Sequence, residues 1–376
     1  MSSRLSRVVG RVSAVLLGVT LVLGGLESYY RSRPDEANPH PIRGLYVLDQ
    51  YSAYALAPNL KRKEFRVHGV ATDYKPSVKP FFVSTTADGI RSAKDIVIPR
   101  RANTLRIVVM GSSYDFGFGV NDEDTWSAVL ERTLAAKQTF PADVEVINGG
   151  VPGTHNVQFL IRYLSKLEKY HPDAVLIATG PNVPPGDIDI RSYTPPAPDP
   201  DYAARSDFYI DRDGVLRTHV SKNRFWRALS SRSDFVKQML IRVQVTQNNA
   251  QVASAVAAAA SDVDDSSLVP FVAFHDRLTA RDVPLFVIIR ETLLTNKETP
   301  SPEEIMTRKL ERLGMPSLNL RPLFDVPDYR HFLVDDGHWN EQAHRMAAEA
   351  IAEFLAEQKP AILAAAARHG SIPPSK

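Results

Sequence analysis

The sequence predicts an α/β fold in which helices cover both faces of a parallel sheet. From residue 104 onward, continuous apolar runs alternate with segments of helical period, as in a parallel sheet buried on both faces. Before this region come short alternating runs separated by turn residues, which predict a small β-rich lead-in. An uncharged apolar stretch at the N-terminus predicts one additional, membrane-associated helix.

The N-terminal segment, residues 1–30, is predicted to be an uncleaved signal anchor that crosses the membrane. Three arginines precede an uncharged run over 12–26, and Tyr29 and Tyr30 follow it. With residues 8–10 the span reaches roughly 28 Å at 1.5 Å per residue, close to the hydrocarbon thickness. The preceding arginines favour a cytoplasmic N-terminus, which makes the remaining chain extracytoplasmic, that is, periplasmic at an inner membrane. A cleaved signal peptide is the alternative, although no A-x-A-like site follows the apolar run.

The chain after the anchor divides into regions of different composition. A stretch rich in prolines and charges indicates a linker. Short runs of mixed composition indicate the lead-in, and alternating strand and helix patterns indicate the main domain. Proline-rich and alanine-rich stretches interrupt that domain. The predicted regions are a linker over 31–41, a lead-in over 42–103, a main domain over 104–360 with insertions at 184–222 and 247–267, and a C-terminal tail over 361–376.

Within the main domain, five apolar runs predict strands and five amphipathic segments predict helices. The predicted strands are 105–111, 144–150, 173–180, 283–290 and 316–320. The predicted helices are 122–137, 156–170, 269–282, 301–314 and 340–358. The first insertion also contains a hairpin signal around Asp213 and Gly214.

Composition excludes several kinds of site. The chain has no cysteine, so disulfides, thiolate metal ligands and a cysteine nucleophile are excluded. Its formal charge of +2 comes from scattered residues, whereas nucleic-acid binding needs a concentrated basic surface. No nucleic-acid partner, metal or cofactor is predicted.

Four loops hold the residue types that acyl transfer requires. Ligands of an open parallel sheet bind beyond the carboxyl ends of its strands, where the sequence has "GSSYDFG", "NGGVPGTHN", "ATGPNV" and "LVDDGHWN". In these loops Ser113 is the candidate nucleophile and His338 its base, oriented by Asp335. The candidate oxyanion donors are the N–H groups of Ser113 and Gly150 and the side-chain amide of Asn182.

In order and spacing, these loops resemble the four motif blocks of the SGNH (GDSL-type) hydrolases. The "FVSTTADGIRSAKDI" segment also resembles the bacterial membrane-anchored branch of that superfamily. The resemblance covers about 80–355 apart from the insertions. It implies a flavodoxin-like three-layer fold, and the same residues as nucleophile, base, orienting acid and oxyanion donors.

Three residues depart from the family pattern. Ser112 replaces the usual Asp before the nucleophile, and Val183 replaces a common Asp after the asparagine. Asp115 stands where relatives often carry a small hydroxyl residue, and a carboxylate near the oxyanion would oppose its formation. These departures leave a weakened or idle site open as an alternative to an active one.

Two competing interpretations of the same residues are disfavoured. A metal site of His331, Asp336, His338 and His344 would need four ligands from one short stretch. A classical α/β-hydrolase would need a G-x-S-x-G elbow, which Ser113 lacks. His155 is expected to line the pocket, and His171 to be structural.

The sequence therefore predicts a membrane-anchored extracytoplasmic serine esterase acting through an acyl-enzyme. Anchored relatives act on O-acetyl groups of cell-surface polysaccharides, so the resemblance implies an ester or acylated glycan substrate. Two alternatives stay open at this point. One is an O-acyltransferase with the same triad, and the other is a catalytically idle scaffold bound to envelope-complex proteins.

Overall fold

The computed structural model describes most of the 376 residues. The predicted linker and the alanine-rich insertion lie largely or wholly outside the described residues. The described ranges are 2–32, 42–66, 80–181, 193–219, 221, 223–240, 268–290, 300–326, 329–334 and 337–373.

Strands and helices alternate along the main domain as the sequence predicts. The strands are β1 (Tyr46–Asp49), β2 (Ala53–Leu56), β3 (Lys63–Arg66), β4 (Pro80–Val83), β5 (Thr104–Met110), β6 (Asp143–Asn148), β7 (Ala174–Thr179), β8 (Phe208–Ile210), β9 (Leu216–Thr218), β10 (Leu285–Ile289) and β11 (Ser317–Asn319). The helices are α1 (Ser2–Ser32), α2 (Ser113–Phe116), α3 (Trp126–Ala136), α4 (Asn156–Arg162), α5 (Tyr202–Arg205), α6 (Arg224–Ser230), α7 (234–240), α8 (Val269–Thr279), α9 (Pro302–Arg312), α10 (Arg321–Phe324), α11 (Glu341–Glu357) and α12 (Lys359–Arg368).

The central sheet has five parallel strands in the order β11-β10-β7-β5-β6. Numbered along the chain within this sheet, the order is 5-4-3-1-2, which is the flavodoxin-like order read from the opposite edge. The predicted fold class is therefore confirmed. Because the order reverses between β5 and β7, the loops after these strands meet at the topological switch point.

Side-chain alternation along β5 builds the two outer layers. Leu105, Ile107 and Val109 pack with residues of α3, α11 and α12, whereas Val108 and Met110 pack with residues of α4, α8 and α9. All seven residues of the strand are buried, so its mostly apolar sequence follows from a position covered on both faces.

The lead-in forms two antiparallel hairpins, β1–β2 and β3–β4, and holds the loop that follows the nucleophile region. Arg91 donates from Nε to Asp122 Oδ1 at 3.0 Å. It also donates to the carbonyl oxygens of Phe116, Gly117 and Val120 at 2.6–2.7 Å. Both side chains of the ion pair are almost fully buried, so the lead-in is part of the main domain's core.

Replacing Arg91 with methionine is expected to lower the free energy of unfolding by ~3–5 kcal/mol, because Asp122 becomes a buried unpaired charge. Denaturant unfolding of the full chain in detergent measures this loss. The matched control is Arg66→Met, which removes an exposed ion pair with Glu64 and should cost less than ~1 kcal/mol. Equal losses in the two variants would contradict the structural role of Arg91.

The C-terminal tail contains a helix that the sequence analysis did not predict. In α12, Ile362, Ala365 and Ala366 are fully buried, and Ile362 and Ala366 belong to the apolar cluster beside α11. Pro360 fits the first turn of this helix, where its missing N–H leaves no bond unmade.

A second unit comprises residues 1–41 and 203–261. It contains α1, the hairpin β8–β9 predicted around Gly214, and helices α6 and α7. Within α1, Arg11–Ser32 is long and apolar enough to span a bilayer, and none of its most apolar stretch is buried within the structure. This is compatible with the predicted anchor.

Candidate active site

Ser113 is the first residue of α2, a single helical turn that is separated from the end of β5 by two residues. The Ser112 N–H donates to Asp115 Oδ2 at 2.9 Å, and the Phe116 N–H donates to the Ser112 carbonyl at 2.8 Å. At Gly111 a Cβ would lie 2.1 Å from Asp115 Oδ2. The chain therefore needs glycine at this position to turn sharply at the carboxyl edge of the sheet.

The structure brings Ser113 and His338 together across 225 residues of sequence, with His338 Nε2 2.8 Å from Ser113 Oγ. His338 lies in a tight turn before α11, where Gly337 has φ +88°. The Val334 N–H donates to the His338 carbonyl at 2.7 Å and closes that turn. A serine and an imidazole at this distance are within reach for proton transfer.

Two aromatic rings hold the imidazole of His338 in place. Tyr114 and Phe118 each have a ring centroid 4.9 Å from that of His338. The Tyr114 hydroxyl also donates to the Gly337 carbonyl at 2.9 Å. Because Tyr114 follows the candidate nucleophile directly, it connects the serine turn to the histidine turn. Sequence reasoning missed both aromatic residues.

Two other predicted site residues lie outside the described residues. Asp335, predicted to orient His338, and Asn182, predicted as an oxyanion donor, both fall in segments that are not described, as does Val183. Their roles stay predictions.

The glycine loop after β6 packs tightly against α2. The Gly150 N–H, predicted as an oxyanion donor, donates in the structure to Asn148 Oδ1 at 3.0 Å. Asn148 Nδ2 in turn donates to the Asp115 carbonyl at 2.9 Å. Asn148 therefore joins the loop to the nucleophile turn, and the oxyanion role of Gly150 stays a prediction.

Replacing Gly150 with alanine is expected to displace α2, because the added Cβ would lie 2.4 Å from the Phe116 nitrogen. Overpacking against backbone should lower the free energy of unfolding by at least ~1–3 kcal/mol. Ester turnover should fall as well, because Ser113 moves with α2. The control for stability is Gly180→Ala, whose Cβ would meet no atom of the described residues within 4 Å. Equal stability of the two variants would contradict this packing role.

Asp115 is fully buried beneath the nucleophile turn. Its Oδ1 accepts from Trp126 Nε1 at 3.2 Å, and its Oδ2 lies 3.6 Å from Arg290 Nε. Burial raises the pKa of Asp115 to about 6, although Arg290 and the hydrogen bonds oppose this shift. The carboxyl thus has a structural role, with the Ser112 N–H as its second hydrogen-bond donor.

The raised pKa of Asp115 predicts a pH-dependent contribution to stability. The folded state keeps this proton up to about pH 6, whereas the unfolded chain releases it near 3.8. The contribution is therefore full below pH ~4 and is lost as the pH rises through about 6. Between pH 4 and 7, the stability advantage of wild type over Asp115→Asn should shrink by ~2–3 kcal/mol in denaturant unfolding. A constant difference would contradict this account.

Arg290 is a further residue that sequence reasoning missed. Its Cζ lies 4.7 Å from the centroid of the Tyr114 ring, and its Nη2 donates to Ser112 Oγ at 3.4 Å. It follows β10 directly, so it connects the end of that strand to the nucleophile turn. Its position directly after an apolar strand could have marked it as a residue at the carboxyl edge of the sheet. Its contacts with Tyr114 and Ser112 could not be predicted, because they depend on the order of strands in the sheet.

The remaining histidines have separate positions. His344 is buried, and its Nδ1 accepts from the Trp126 N–H at 3.2 Å. Burial lowers the pKa of His344 to about 3, so the ring is neutral. His155 is exposed at the start of α4, and His171 lies in a left-handed turn before β7. Among the described residues, no three or more histidine, aspartate or glutamate side chains lie together where they could hold a metal ion. Asp336 and the side chain of His331 lie outside the described part of the chain.

No family model and no curated protein matches this chain. Solved structures do show similarity. A lipolytic protein of the G-D-S-L family from Desulfitobacterium hafniense DCB-2 has 12% identity and a TM-score of 0.35, covering 66% of this chain and 98% of that chain. The esterase EstA from Pseudoalteromonas sp. has 13% identity and a TM-score of 0.36, and the match covers 69% of this chain and 99% of the esterase. The acetyl xylan esterase AlAXEase has 11% identity and a TM-score of 0.38, and the match covers 66% of this chain and 98% of that esterase.

Proposed function

We propose that this chain, with its SGNH-type sheet and ordered motif loops, is a membrane-anchored extracytoplasmic serine esterase. The observation that carries the proposal is the 2.8 Å contact between Ser113 Oγ and His338 Nε2 at the carboxyl edge of the sheet. Two residues 225 positions apart meet there, in the geometry that serine activation requires.

In the proposed reaction, His338 Nε2 accepts the proton of Ser113 as Oγ attacks the ester carbonyl carbon. The tetrahedral intermediate collapses when His338 returns that proton to the leaving alkoxide, which departs as the alcohol. Water then attacks the acyl-enzyme, with His338 again as base, and releases the carboxylic acid and free Ser113.

Three further groups complete the proposed site. Asp335 is assigned to orient the imidazole and to stabilise its protonated form. The Ser113 N–H and the Asn182 amide are assigned to the oxyanion, where one correctly placed donor is worth ~2.7–4 kcal/mol. Gly150 can contribute only if its N–H leaves Asn148 Oδ1.

We assign O-acyl groups of cell-surface glycans as the substrate class, because the anchor would hold the site at the outer face of a membrane. The test of the proposed function is hydrolysis of p-nitrophenyl acetate by the full chain in detergent. Turnover supports the esterase, whereas its absence from folded protein favours the scaffold alternative, which predicts stable envelope-protein partners in a mild-detergent pull-down.

An O-acyltransferase would use the same serine and histidine, because both reactions pass through one acyl-enzyme. The two differ in the acceptor that removes the acyl group. Comparing products with and without an oligosaccharide acceptor separates them. Transfer to the sugar at the expense of free acid would identify a transferase.

A further inference from the structure

The end of α1 is hydrogen-bonded to the segment that contains α6 and α7. Glu27 Oε2 accepts from the Ser233 hydroxyl at 2.8 Å and from the Phe235 N–H at 3.2 Å. Glu27 Oε1 accepts from the Asp234 N–H at 3.1 Å. The carboxylate of Glu27 thus satisfies N–H groups at the start of α7, which a helix otherwise leaves without partners.

Two neighbouring residues strengthen this connection. Arg31 donates to Glu27 Oε1 at 2.7 Å and to the Arg232 carbonyl at 3.2 Å. The ring centroid of Tyr30 lies 5.8 Å from that of Phe235. Glu27 is the first charged residue after the apolar run of α1. The connection therefore holds residues 224–240, which we call the collar segment, beside the end of α1 that follows its apolar run.

One face of α6 exposes large apolar side chains. Phe225 is 67% exposed, Trp226 37% and Leu229 36%. At 100° per residue these three side chains fall within an arc of about 100° on the helix. Arg227 lies on the opposite side, where its Nε donates to the Ser221 carbonyl at 2.9 Å and a second nitrogen contacts Asp207. Arg227 thus attaches the polar face of α6 to the rest of its unit, and the apolar face of α6 is exposed.

The charge of the collar segment complements an anionic surface. It contains the basic residues Arg224, Arg227, Arg232 and Lys237 and the single acidic residue Asp234. Arg224 and Arg232 are exposed. Exposed aromatic residues beside basic ones are typical of helices that lie in the interface of a bilayer.

We propose that the collar segment binds the membrane surface around the exit of α1, with Phe225, Trp226 and Leu229 inserted at the boundary of head groups and acyl chains. Anionic lipid is the preferred partner. The inference rests on the proposed role of α1 as a membrane anchor. This inference is independent of the chemistry assigned to Ser113.

Tryptophan fluorescence of the full chain in lipid nanodiscs tests this proposal. Of the three tryptophans, Trp126 and Trp339 are only 1% exposed, so Trp226 reports on contact with lipid. Phospholipids brominated near the head group should quench Trp226, and the total tryptophan emission should fall by about one fifth to one third. This is the result expected if the apolar face of α6 is buried ~5–10 Å into the boundary of head groups and acyl chains. The quenching should be larger with phosphatidylglycerol than with phosphatidylcholine alone, and Trp226→Phe should remove it.

Two further variants keep the test decisive. Phe225→Ser/Leu229→Ser changes only exposed positions and should reduce quenching at Trp226 at least twofold, while Leu313→Ser, an exposed position elsewhere, should not. Unquenched Trp226 in brominated nanodiscs would overturn the proposal. A photoreactive residue at position 225 that crosslinks in native membranes to one protein, and not to lipid, would also overturn it and identify a protein interface.

Discussion

Replacing Ser113 with alanine is expected to lower kcat/KM for p-nitrophenyl acetate by at least ~10³-fold. The variant removes only the oxygen that would form the acyl bond, and a serine nucleophile has no substitute in the acyl-enzyme pathway. Ser113 is half-buried, and its side-chain oxygen contacts His338 Nε2. The fold should therefore persist, and unfolding measurements on the variant should match wild type within ~1 kcal/mol.

The adjacent serine provides the matched control. Ser112 Oγ accepts from Arg290 Nη2 at 3.4 Å, so Ser112→Ala should change the local hydrogen bonding while leaving the nucleophile in place. Its activity loss should be at least tenfold smaller than that of Ser113→Ala. The reverse order of effects would assign the chemistry to Ser112 and contradict the present account.

Replacing His338 with glutamine is expected to produce a loss of the same order, at least ~10³-fold in kcat/KM. Glutamine keeps a hydrogen-bonding side chain but cannot accept the serine proton and return it to the leaving group. Since Ser113 and His338 would act as one unit, the double variant should lose no more than the larger single loss. His275→Gln on α8, a partly exposed histidine, should retain activity.

Multiplicative losses in the double variant would show that the two side chains act independently. That result would place the 2.8 Å contact among structural hydrogen bonds, and it would contradict the assignment of His338 as the base that activates Ser113.

The sheet could be predicted because its strands carry their own signal. Runs such as β5 and β7 are buried on both faces, so they are mostly apolar and stand out from the helices between them. The C-terminal helix α12 was missed because its buried positions are mainly alanines, which give little amphipathic contrast. The helix predicted over 156–170 keeps α-geometry only to Arg162 and continues as π and 3₁₀ turns.

The candidate site was partly predictable for a different reason. Ser113 and His338 lie in loops whose residue types are unusual enough to identify. Tyr114, Asn148 and Arg290 act through partners 33 to 223 residues away, and such contacts depend on the order of strands in the sheet. The bond from the Gly150 N–H to Asn148 Oδ1, by contrast, lies within the motif itself.

Labelling of the full chain with a fluorophosphonate, measured by intact mass, tests the central claim most directly. This reagent phosphonylates a serine only where its oxygen is activated as a nucleophile. We expect a single adduct on wild type, none on Ser113→Ala, and a rate of labelling reduced at least ~10²-fold in His338→Ala. An adduct that survives in Ser113→Ala, or no adduct on folded wild-type protein, would contradict the assignment of Ser113 as an activated nucleophile.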